Sequence, residues 1–338
     1  MRYSFIIPVF NRPAEAAELL ESLAAIRGEG DFEVVVVEDG SSDCCAEVVG
    51  RYDGRLSLKY VAQPNGGPAV ARNNGAEHAS GEFLLILDSD CVVPQGYLKA
   101  IDEELRREEC DAFGGPDRAA EGFTAVQKAI NYSMTSFLTT GGIRGGKRKL
   151  DRFYPRSFNM GVRRSLFLRL GGFSNMRFGE DIDLSIRIFE SGARCRLFPE
   201  AWVWHKRRTD FRKFFRQVHN SGIARINLWK RHPGSLKPVH LLPALFTVGC
   251  ALLLLLAVIG APFCLYSLWL LLPLGAYALL VLLHSAWLNK SLGVALLSVL
   301  ASYIQLLGYG TGFISAWWRR CVRGKGGEMQ AFRDTFYK

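Results

Sequence analysis

Short apolar segments alternate with segments of helical spacing through the first part of the chain. The strands predicted from this pattern are YSFIIPVF (3–10), FEVVVVED (32–39), LSLKYVAQ (56–63) and EFLLIL (82–87). The predicted helices are RPAEAAELLESLAAI (12–26), with a proline near its first turn, and residues 68–79. Unbroken apolar strands are typical of a sheet that is covered on both faces. The pattern therefore predicts an α/β fold with a doubly wound, mostly parallel sheet.

The pattern loosens after Asp90 and becomes periodic again further on. CDAFGGP (110–116) is predicted to be another strand, and TTGGIRGGKRKL (139–150) has the glycine and basic content of a loop. RSLFLRLGGF (164–173) has helical spacing, and DIDLSIRIFESG (181–192) predicts a helix that is ended by its glycine.

From residue 239 onward the composition becomes strongly apolar. Residues 239–263, 265–288 and 292–318 contain no Asp, Glu, Lys or Arg, and each segment exceeds the roughly 20 residues that cross a bilayer. Buried core helices of this length are rare in soluble folds, so we expect three membrane helices. The predicted organisation is a cytoplasmic domain (1–235), a membrane region (236–320) and a basic C-terminal tail (321–338).

The net charge of +10 is carried partly by basic segments that border the apolar region, at 206–217, 229–237 and 318–325. Basic residues beside membrane segments mark the cytoplasmic leaflet and its anionic lipids, so nucleic acid is not an expected partner. The N-terminus does not read as a signal peptide, and the eight cysteines lack metal-ligand spacing. We therefore expect reduced thiols and a multi-pass protein of the inner (plasma) membrane, with its first domain in the cytoplasm.

The same charges conflict with three full crossings. A chain that starts in the cytoplasm and crosses three times would place Arg319, Arg320 and Arg323 outside. Either one segment is re-entrant or the C-terminal charge does not dominate. Pro262 and Pro273 favour an irregular hairpin in the first two segments.

Polar clusters follow three of the predicted strands: PVFNR (8–12), VEDGSSD (37–43) and LDSD (87–90). In a parallel sheet they would gather along one edge, where such folds bind ligands. EDGSSD is also typical of a turn with a helix cap. Asp88 and Asp90 would repel each other unless a cation intervened, and Mg²⁺ or Mn²⁺ bound to a sugar-nucleotide diphosphate would suit them; the alternative is a solvated turn.

RFGEDIDLSIRI (177–188) places Asp181 and Asp183 near a helix start. Acidic residues are favourable there for electrostatic reasons alone. A carboxylate at this position is also a natural general base, and Gly179 allows close backbone approach. His205, in AWVWHKRR, fits a histidine at the edge of the core and a third metal ligand equally well.

Five motifs in order resemble those of the inverting family 2 glycosyltransferases of the GT-A fold, over residues 4–225. They are SFIIPVFNR, VVVVEDGSSD, NGGPAVARNNGAEHASGEFLLILDSD, FNMGVRRSLFLRLGGF and FGEDIDLSIRIFESG. The resemblance implies a nucleotide-diphospho-sugar transferase fold followed by membrane helices, with Mn²⁺ or Mg²⁺ as cofactor.

The resemblance also implies roles for individual residues. The nucleotide pocket would contain Pro8, Val9, Asn11, Glu38, Asp39, Arg72 and Asp88. The metal would be held by Asp90, Asp88 and His205. Asp181 would be the catalytic base, and the diphosphate and acceptor would be contacted by Glu180, Lys206 and Arg207.

Processive members of the family carry a Q-x-x-R-W motif before their membrane helices, whereas this chain reads FFRQVHNSGIARINLW (214–229). A single addition is therefore expected, from a nucleotide sugar to a lipid-linked glycan in cell-envelope synthesis. The family resemblance implies a UDP-sugar as the donor. One alternative acceptor is polyprenyl phosphate itself, because the basic segment 141–149 suits a phosphate head group, although it could equally be a solvated loop. A second alternative is a membrane scaffold that binds nucleotide without catalysis; the predicted spans contain no Asp, Glu, Lys or Arg, and their histidines are His240 and His284.

Overall fold

The computed structural model describes residues 1–26, 31–118, 122–140, 153–206 and 208–328. Within them the strands are β1 (Tyr3–Val9), β2 (Phe32–Asp39), β3 (Leu58–Gln63), β4 (Phe83–Leu87), β5 (Cys91–Val92), β6 (Ala112–Gly114), β7 (Asp117–Arg118), β8 (Asn159–Arg163), β9 (Cys195–Leu197) and β10 (Val203–His205). The helices are α1 (Pro13–Ala24), α2 (Ala46–Gly50), α3 (Pro68–His78), α4 (Tyr97–Arg107), α5 (Ala125–Thr135), α6 (Phe137–Thr140), α7 (Arg164–Arg169), α8 (Glu180–Glu190), α9 (Phe211–Arg231), α10 (Leu242–Gly260), α11 (Leu272–Asn289) and α12 (Leu292–Trp317).

The described residues form two compact units. The first unit comprises residues 1–118 and 153–206, and contains a seven-stranded sheet in the order β3-β2-β1-β4-β8-β6-β9. Its strands are parallel except for β8, which is antiparallel to both of its neighbours. This arrangement confirms the predicted α/β class with a mostly parallel sheet.

Helices cover both faces of this sheet. Alternate residues of a strand point to opposite faces, so Phe5 of β1 packs in one buried cluster with Leu19 of α1 and Ile101 of α4. Ile6 packs in the cluster on the other face with Leu184 of α8. A smaller sheet has the strand order β5-β10-β7. Its strand β5 follows β4 of the main sheet directly along the chain.

The second unit comprises residues 122–140 and 208–328 and is helical. It contains three helices that are long and apolar enough to cross a membrane: Pro238–Gly260, Leu265–Asn289 and Leu292–Val322. The first consists of α10 with a preceding 3-10 turn, and the second of a 3-10 helix (Leu265–Leu271) continued by α11. These helices occupy the segments in which the sequence predicted apolar helices. The predicted boundary between domains at residue 235 stays a prediction.

Several elements were not predicted from the sequence. They include α4, α5, the edge strand β9 of the main sheet and the central strand β10 of the smaller one. The strand β8 forms from SFNMGVR, a segment with little apolar character, because it is hydrogen-bonded on both sides by β4 and β6. The predicted loop 139–150 lies outside the described residues from 141 onward.

Candidate active site

The loops that follow β1, β2 and β4 meet at one edge of the main sheet. β1 and β2 are paired up to Val9 and Glu38, and β1 is paired with β4 up to Ile6 and Ile86. Polar residues that follow these strands are therefore brought together, as the sequence predicted. A hydrogen bond of 2.9 Å from Arg12 to Asp90 joins the loop after β1 to the loop after β4.

The two acidic residues at the end of β2 hold neighbouring loops in place. Glu38 accepts hydrogen bonds from the hydroxyl of Ser41 and from the backbone N–H of Cys45. Asp39 accepts from the backbone N–H groups of Gly66 and Gly67, both at 2.8 Å, directly before α3. Both carboxylates are buried. Their predicted place in the nucleotide pocket stays a prediction, and the structure adds a local role for each.

Asn11 has a similar local role. Its backbone has a φ of +52°, in the left-handed region, and its side-chain oxygen accepts hydrogen bonds from the backbone N–H groups of Ser42 and Asp43. Asn11 thereby ties the β1 loop to the β2 loop. Of the other residues predicted here, Val9 is buried and Pro8 is half-buried.

Arg72 lies between two of the acidic clusters. It is 4% exposed and donates to Asp88 at 2.6 Å and to Glu180 at 2.9 Å. It also lies over the ring of Phe173, 5.3 Å from the centroid. Burial opposes its charge, but the carboxylates of Asp88 and Glu180 raise the pKa of Arg72 overall. Arg72 therefore joins α3 to the end of β4 and to the start of α8.

The start of α8 carries two adjacent carboxylates in different environments. The helix begins after Gly179, which has a φ of +83°. Glu180 is buried beside Asp181, and burial followed by that neighbouring charge raises the pKa of Glu180 to about 7. Asp181 is equally buried, but Arg156 donates to it at 2.6 Å and the backbone N–H of Ile182 donates at 2.8 Å. Although burial opposes the shift, the charge of Arg156 and these hydrogen bonds lower the pKa of Asp181.

Asp183, which the sequence could not distinguish from Asp181, is placed differently. It is paired with Arg187 one turn further along α8, at 2.9 Å. Arg187 also donates to the backbone carbonyls of Leu170 and Gly172. Asp183 therefore belongs to the packing of α8 against the α7 region.

His205 faces Asp90 across the smaller sheet. The register of β5 and β10 places His205 opposite Cys91, and the Nε2 atom of His205 is 3.2 Å from the Oδ1 atom of Asp90. Asp90, Cys91 and His205 form a cluster whose potential ligand atoms all lie within 4.8 Å of one another. The ring of Phe158 stacks on His205 at 5.0 Å between centroids.

This cluster fits a divalent cation. Two adjacent ligands of an octahedral ion, each at about 2.1 Å, stand about 3 Å apart, which is the separation of the carboxylate oxygen and imidazole nitrogen here. Asp117 lies on the Nδ1 side of the ring, 3.9 Å from Nδ1 of His205, which is longer than a direct hydrogen bond. Asp88, predicted as a second ligand, is paired with Arg72 through one oxygen at 2.6 Å, and its role at the metal stays a prediction.

The remaining predicted residues are less central. The ammonium group of Lys206 is 2.7 Å from the carboxylate of Glu18 on α1. The backbone N–H of Lys206 donates to the backbone carbonyl of Asp90. Arg207 and the basic segment 141–149 lie outside the described residues. Sequence reasoning missed Arg156, Cys91 and Asp117. The only sequence feature that could have drawn attention to Arg156 is its position just before the motif FNMG.

Comparison with known proteins identifies the fold and the family. Residues 4–171 match the model of glycosyl transferase family 2. These residues belong to glycosyltransferase family 2. The pre-mycofactocin glycosyltransferase of Mycobacterium tuberculosis is 30% identical over 249 residues, which are 69% of this chain and 49% of that protein. The probable glycosyltransferase YdaM of Bacillus subtilis is 24% identical over 225 residues, 64% of this chain and 53% of that protein.

The chain spans about half the length of these two curated relatives. Among solved structures, the mannosyltransferase PcManGT of Pyrobaculum calidifontis, determined with GDP-Man and Mn²⁺, has a TM-score of 0.59. It is 19% identical, and the match covers 94% of this chain and 88% of PcManGT. The likeness confirms the predicted GT-A fold for the family 2 domain.

Proposed function

We propose that the protein is a metal-dependent, inverting glycosyltransferase that moves one sugar from a nucleoside diphosphate donor to a lipid-linked glycan in the membrane. The observation that carries the proposal is the arrangement at one sheet edge of the Asp90–His205 pair and the carboxylates at the start of α8. The membership of residues 4–171 in family 2 and the glycosyltransferase names of the relatives support this class of reaction.

The proposed reaction assigns one task to each group. A hydroxyl oxygen of the acceptor forms a bond to the anomeric carbon while the bond from that carbon to the diphosphate breaks, and the diphosphate leaves with the electron pair. Asp181 takes the hydroxyl proton as the acceptor attacks from the opposite face. Asp181 suits this role because Arg156 keeps it ionised and the N–H of Ile182 fixes its orientation.

The cofactor proposed is a divalent cation held by Asp90 and His205. Its charge would stabilise the leaving diphosphate. The imidazole nitrogen favours a transition metal such as Mn²⁺ over Mg²⁺, which prefers oxygen ligands. Arg12, whose guanidinium donates to Asp90, adds positive charge on the same side of the site. The ammonium group of Lys206 is paired with Glu18 in this structure. Uridine as the base follows the family resemblance alone.

The apolar helices of the second unit are the reason for proposing a lipid-linked acceptor. These three long apolar helices would hold the enzyme at the membrane, and anchoring both reactants to one surface raises their effective concentration. We place the protein in the inner membrane with the family 2 domain in the cytoplasm, where nucleotide sugars are supplied.

The test is release of nucleoside diphosphate from a panel of UDP- and GDP-sugars by detergent-purified protein with Mn²⁺, with and without a membrane lipid extract. We expect lipid-stimulated release from one donor. Asp181→Asn should lower the rate at least 100-fold, because the general base is lost. Glu190→Gln, at the other end of the same helix, is the matched control and should leave the rate unchanged.

Two results would contradict the proposal. Asp181→Asn with wild-type turnover would remove Asp181 as the base. Nucleotide binding without release from any donor, in the presence of lipid extract, would favour the scaffold alternative.

A further inference from the structure

The amphipathic helix α9 runs beside the last apolar helix, α12, in the second unit. Phe214 and Ala301 share one buried cluster, and further along Val218 packs against Gly308. At the far end Arg320 donates to Asn227 at 2.8 Å. The contacts advance in the same direction along both helices, so the two lie side by side from Phe214 to Asn227 of α9, over about 20 Å at 1.5 Å per residue.

The composition of α9 is incompatible with the interior of a bilayer. It contains six cationic residues among 21: Arg212, Lys213, Arg216, Arg225, Lys230 and Arg231. Its middle is also polar, with buried Asn220 and exposed Ser221. Each Arg or Lys placed at the centre of a membrane helix costs roughly 2.5–3.5 kcal/mol or more. Because α12 is packed along α9, the conditions that exclude α9 from the hydrocarbon apply to most of α12 as well.

The surroundings of α12 differ from those of the other two apolar helices. Residues 301–316, all of them described, are buried or half-buried within the second unit. Most of α10 and α11, by contrast, is exposed, with large apolar residues such as Leu254, Leu255 and Leu283 about half accessible or more. A long apolar helix that is covered by protein does not need lipid to explain its composition.

α10 and the helix that follows it form an antiparallel hairpin. The rings of Phe246 and Tyr277 lie 5.4 Å apart, and nearer the turn the hydroxyl of Ser267 donates to the carbonyl of Ala257. The turn between the two legs lies at residues 261–264. The legs, Pro238–Gly260 and Leu265–Asn289, are both long enough to cross a bilayer.

α12 contacts this hairpin in its open half. Thr247, near the start of α10, reaches the carbonyl of Leu306 at 3.5 Å. Tyr303 donates to the carbonyl of Leu274 at 2.7 Å, and Ser298 and Ser285 are joined at 2.8 Å. Ser298 and Tyr303 of α12 thus contact the second leg of the hairpin, and Leu306 contacts the first. α12 therefore lies across the open half of the hairpin rather than along its legs.

We propose that only the hairpin of α10 and α11 crosses the bilayer, and that α12 lies with α9 along the membrane surface, with anionic lipid head groups as the partner of the basic residues. The exposed cations of α9, among them Arg212 and Lys230, and those after α12, Arg319 and Arg323, then share one side of the membrane. Two crossings return the chain to its starting side, which removes the conflict between three crossings and the C-terminal positive charge.

Natural cysteines provide the reporters for a test of this topology. Cys44 is exposed in the first unit, Cys264 is exposed at the hairpin turn, and Cys321 is half-buried at the end of the last helix. Cys195 is the fourth accessible thiol. The other four cysteines are buried, and burial raises the pKa of Cys110 to about 11, so they react slowly and stay unchanged.

The experiment modifies the full-length chain with a membrane-impermeant maleimide in intact cells without an outer membrane and in inverted membrane vesicles. Three variants each retain one of Cys44, Cys264 and Cys321, with serine at the other accessible positions. A fourth adds Gly327→Cys to the background that lacks all four accessible thiols, because Gly327 is exposed and reports the tail independently of Cys321. The background itself is the control for reaction at buried thiols.

We expect Cys44, Cys321 and Gly327→Cys to react from the same side, and Cys264 to react from the opposite side. Reaction of Cys321 and Gly327→Cys from the side of Cys264 would overturn the proposal and establish a third crossing. Reaction of Cys264 from the side of Cys44 would overturn it as well, since the hairpin would not cross. Neither readout depends on the proposed catalytic activity.

Discussion

Arg156 decides the ionisation of the carboxylate that we propose as the general base. Its guanidinium is 2.6 Å from Asp181. Glu180 lies next to that carboxylate on the same helix, and the charge of Arg72 has a smaller effect on the pKa of Asp181. Arg156 favours the ionised form of Asp181, whereas burial favours the neutral acid. With Arg156 present, the pKa of Asp181 lies below its ordinary value. Asp181 is therefore ionised throughout the physiological range.

Replacing Arg156 should shift the pH dependence of the reaction. In Arg156→Gln the effect of burial is opposed only by the weaker influences of Arg72 and the Ile182 N–H among the groups named for Asp181, so the pKa of Asp181 rises. The acidic limb of the pH–rate profile should move to higher pH by at least about one unit. Arg156→Lys keeps the charge and should show a smaller shift. The measurement is the rate of nucleotide release between pH 4 and about 9. The wild-type limb should lie at or below the acidic end of this range, and the limb of Arg156→Gln should appear within it.

Two controls accompany this prediction. Glu180 has a pKa of about 7 and titrates in every variant, so the comparison concerns the shift between proteins rather than the shape of one profile. Arg55→Gln removes a surface arginine paired with Glu21 and should leave the profile in place. A uniform loss of rate in Arg156→Gln, with an unshifted acidic limb, would show that Arg156 acts on the fold and not on Asp181.

His205 should contribute directly to metal affinity. Its Nε2 atom and Asp90 are separated by the distance expected of two ligands to one ion. His205→Ala should weaken binding of Mn²⁺ at least about tenfold, the lower end of the effect seen when even an outer partner of a metal ligand is lost. Electron paramagnetic resonance of free Mn²⁺ measures this without turnover. His78→Ala, at an exposed histidine at the end of α3, is the control, and equal affinities in both variants would exclude His205 as a ligand.

The contributors to the site differ in how visible they are in the sequence. Asp88, Asp90 and Asp181 follow apolar strands or precede a helix, so their positions in the fold can be predicted from local pattern. Cys91 and Asp117 reach His205 only through the register of three two- or three-residue strands. Strands this short carry no periodicity, and so their pairing was not predictable.

At the scale of elements, glycines allow α9 and α12 to pack with their backbones in contact. A Cβ atom added at Gly312 would lie 2.0 Å from the carbonyl oxygen of His219, and one at Gly222 would lie 2.1 Å from that of Tyr309. No side chain can occupy these positions unless the helices separate. The sequence showed the basic face of α9 but not its partner, since periodicity identifies an apolar face and not what covers it.

Alanine at this contact should destabilise the second unit. We expect Gly312→Ala to lower the free energy of unfolding by about 1–3 kcal/mol, as overpacking does elsewhere. Gly249→Ala in α10 is the matched control, because its added Cβ would meet no atom within 4 Å. The control should be neutral or slightly stabilising, since alanine is the better helix former. Thermal unfolding in detergent measures both, and equal stabilities would show that the two backbones are not in contact.

At the scale of the whole molecule, the class of fold was predictable, whereas the membership of α5 in the second unit was not. Four apolar strands with intervening helices are a repeated, local signal, and a parallel sheet follows from it. The helix α5, by contrast, belongs to the second unit although it lies in sequence between strands of the first. Its apolar residues Ile130 and Met134 share a buried cluster with Phe214 and Ala301, far away in the chain. Contacts of such long range leave no trace in a local pattern.

The two kinds of membrane contact that we propose for this chain should respond differently to extraction. Charge attraction between basic residues and anionic lipids is screened by salt, whereas apolar helices inserted in the hydrocarbon are held by the hydrophobic effect. The net charge of +10 would support the first, and the exposed leucines of α10 and α11 the second.

The hairpin should dominate, so we expect the protein to stay with the membrane in high salt and in alkaline carbonate, and to leave it only in detergent. Immunoblotting of the two fractions checks this, beside a peripheral and an integral marker. Release by carbonate would show that charge holds the protein to the membrane, and the hairpin would then have to pack against protein instead of lipid.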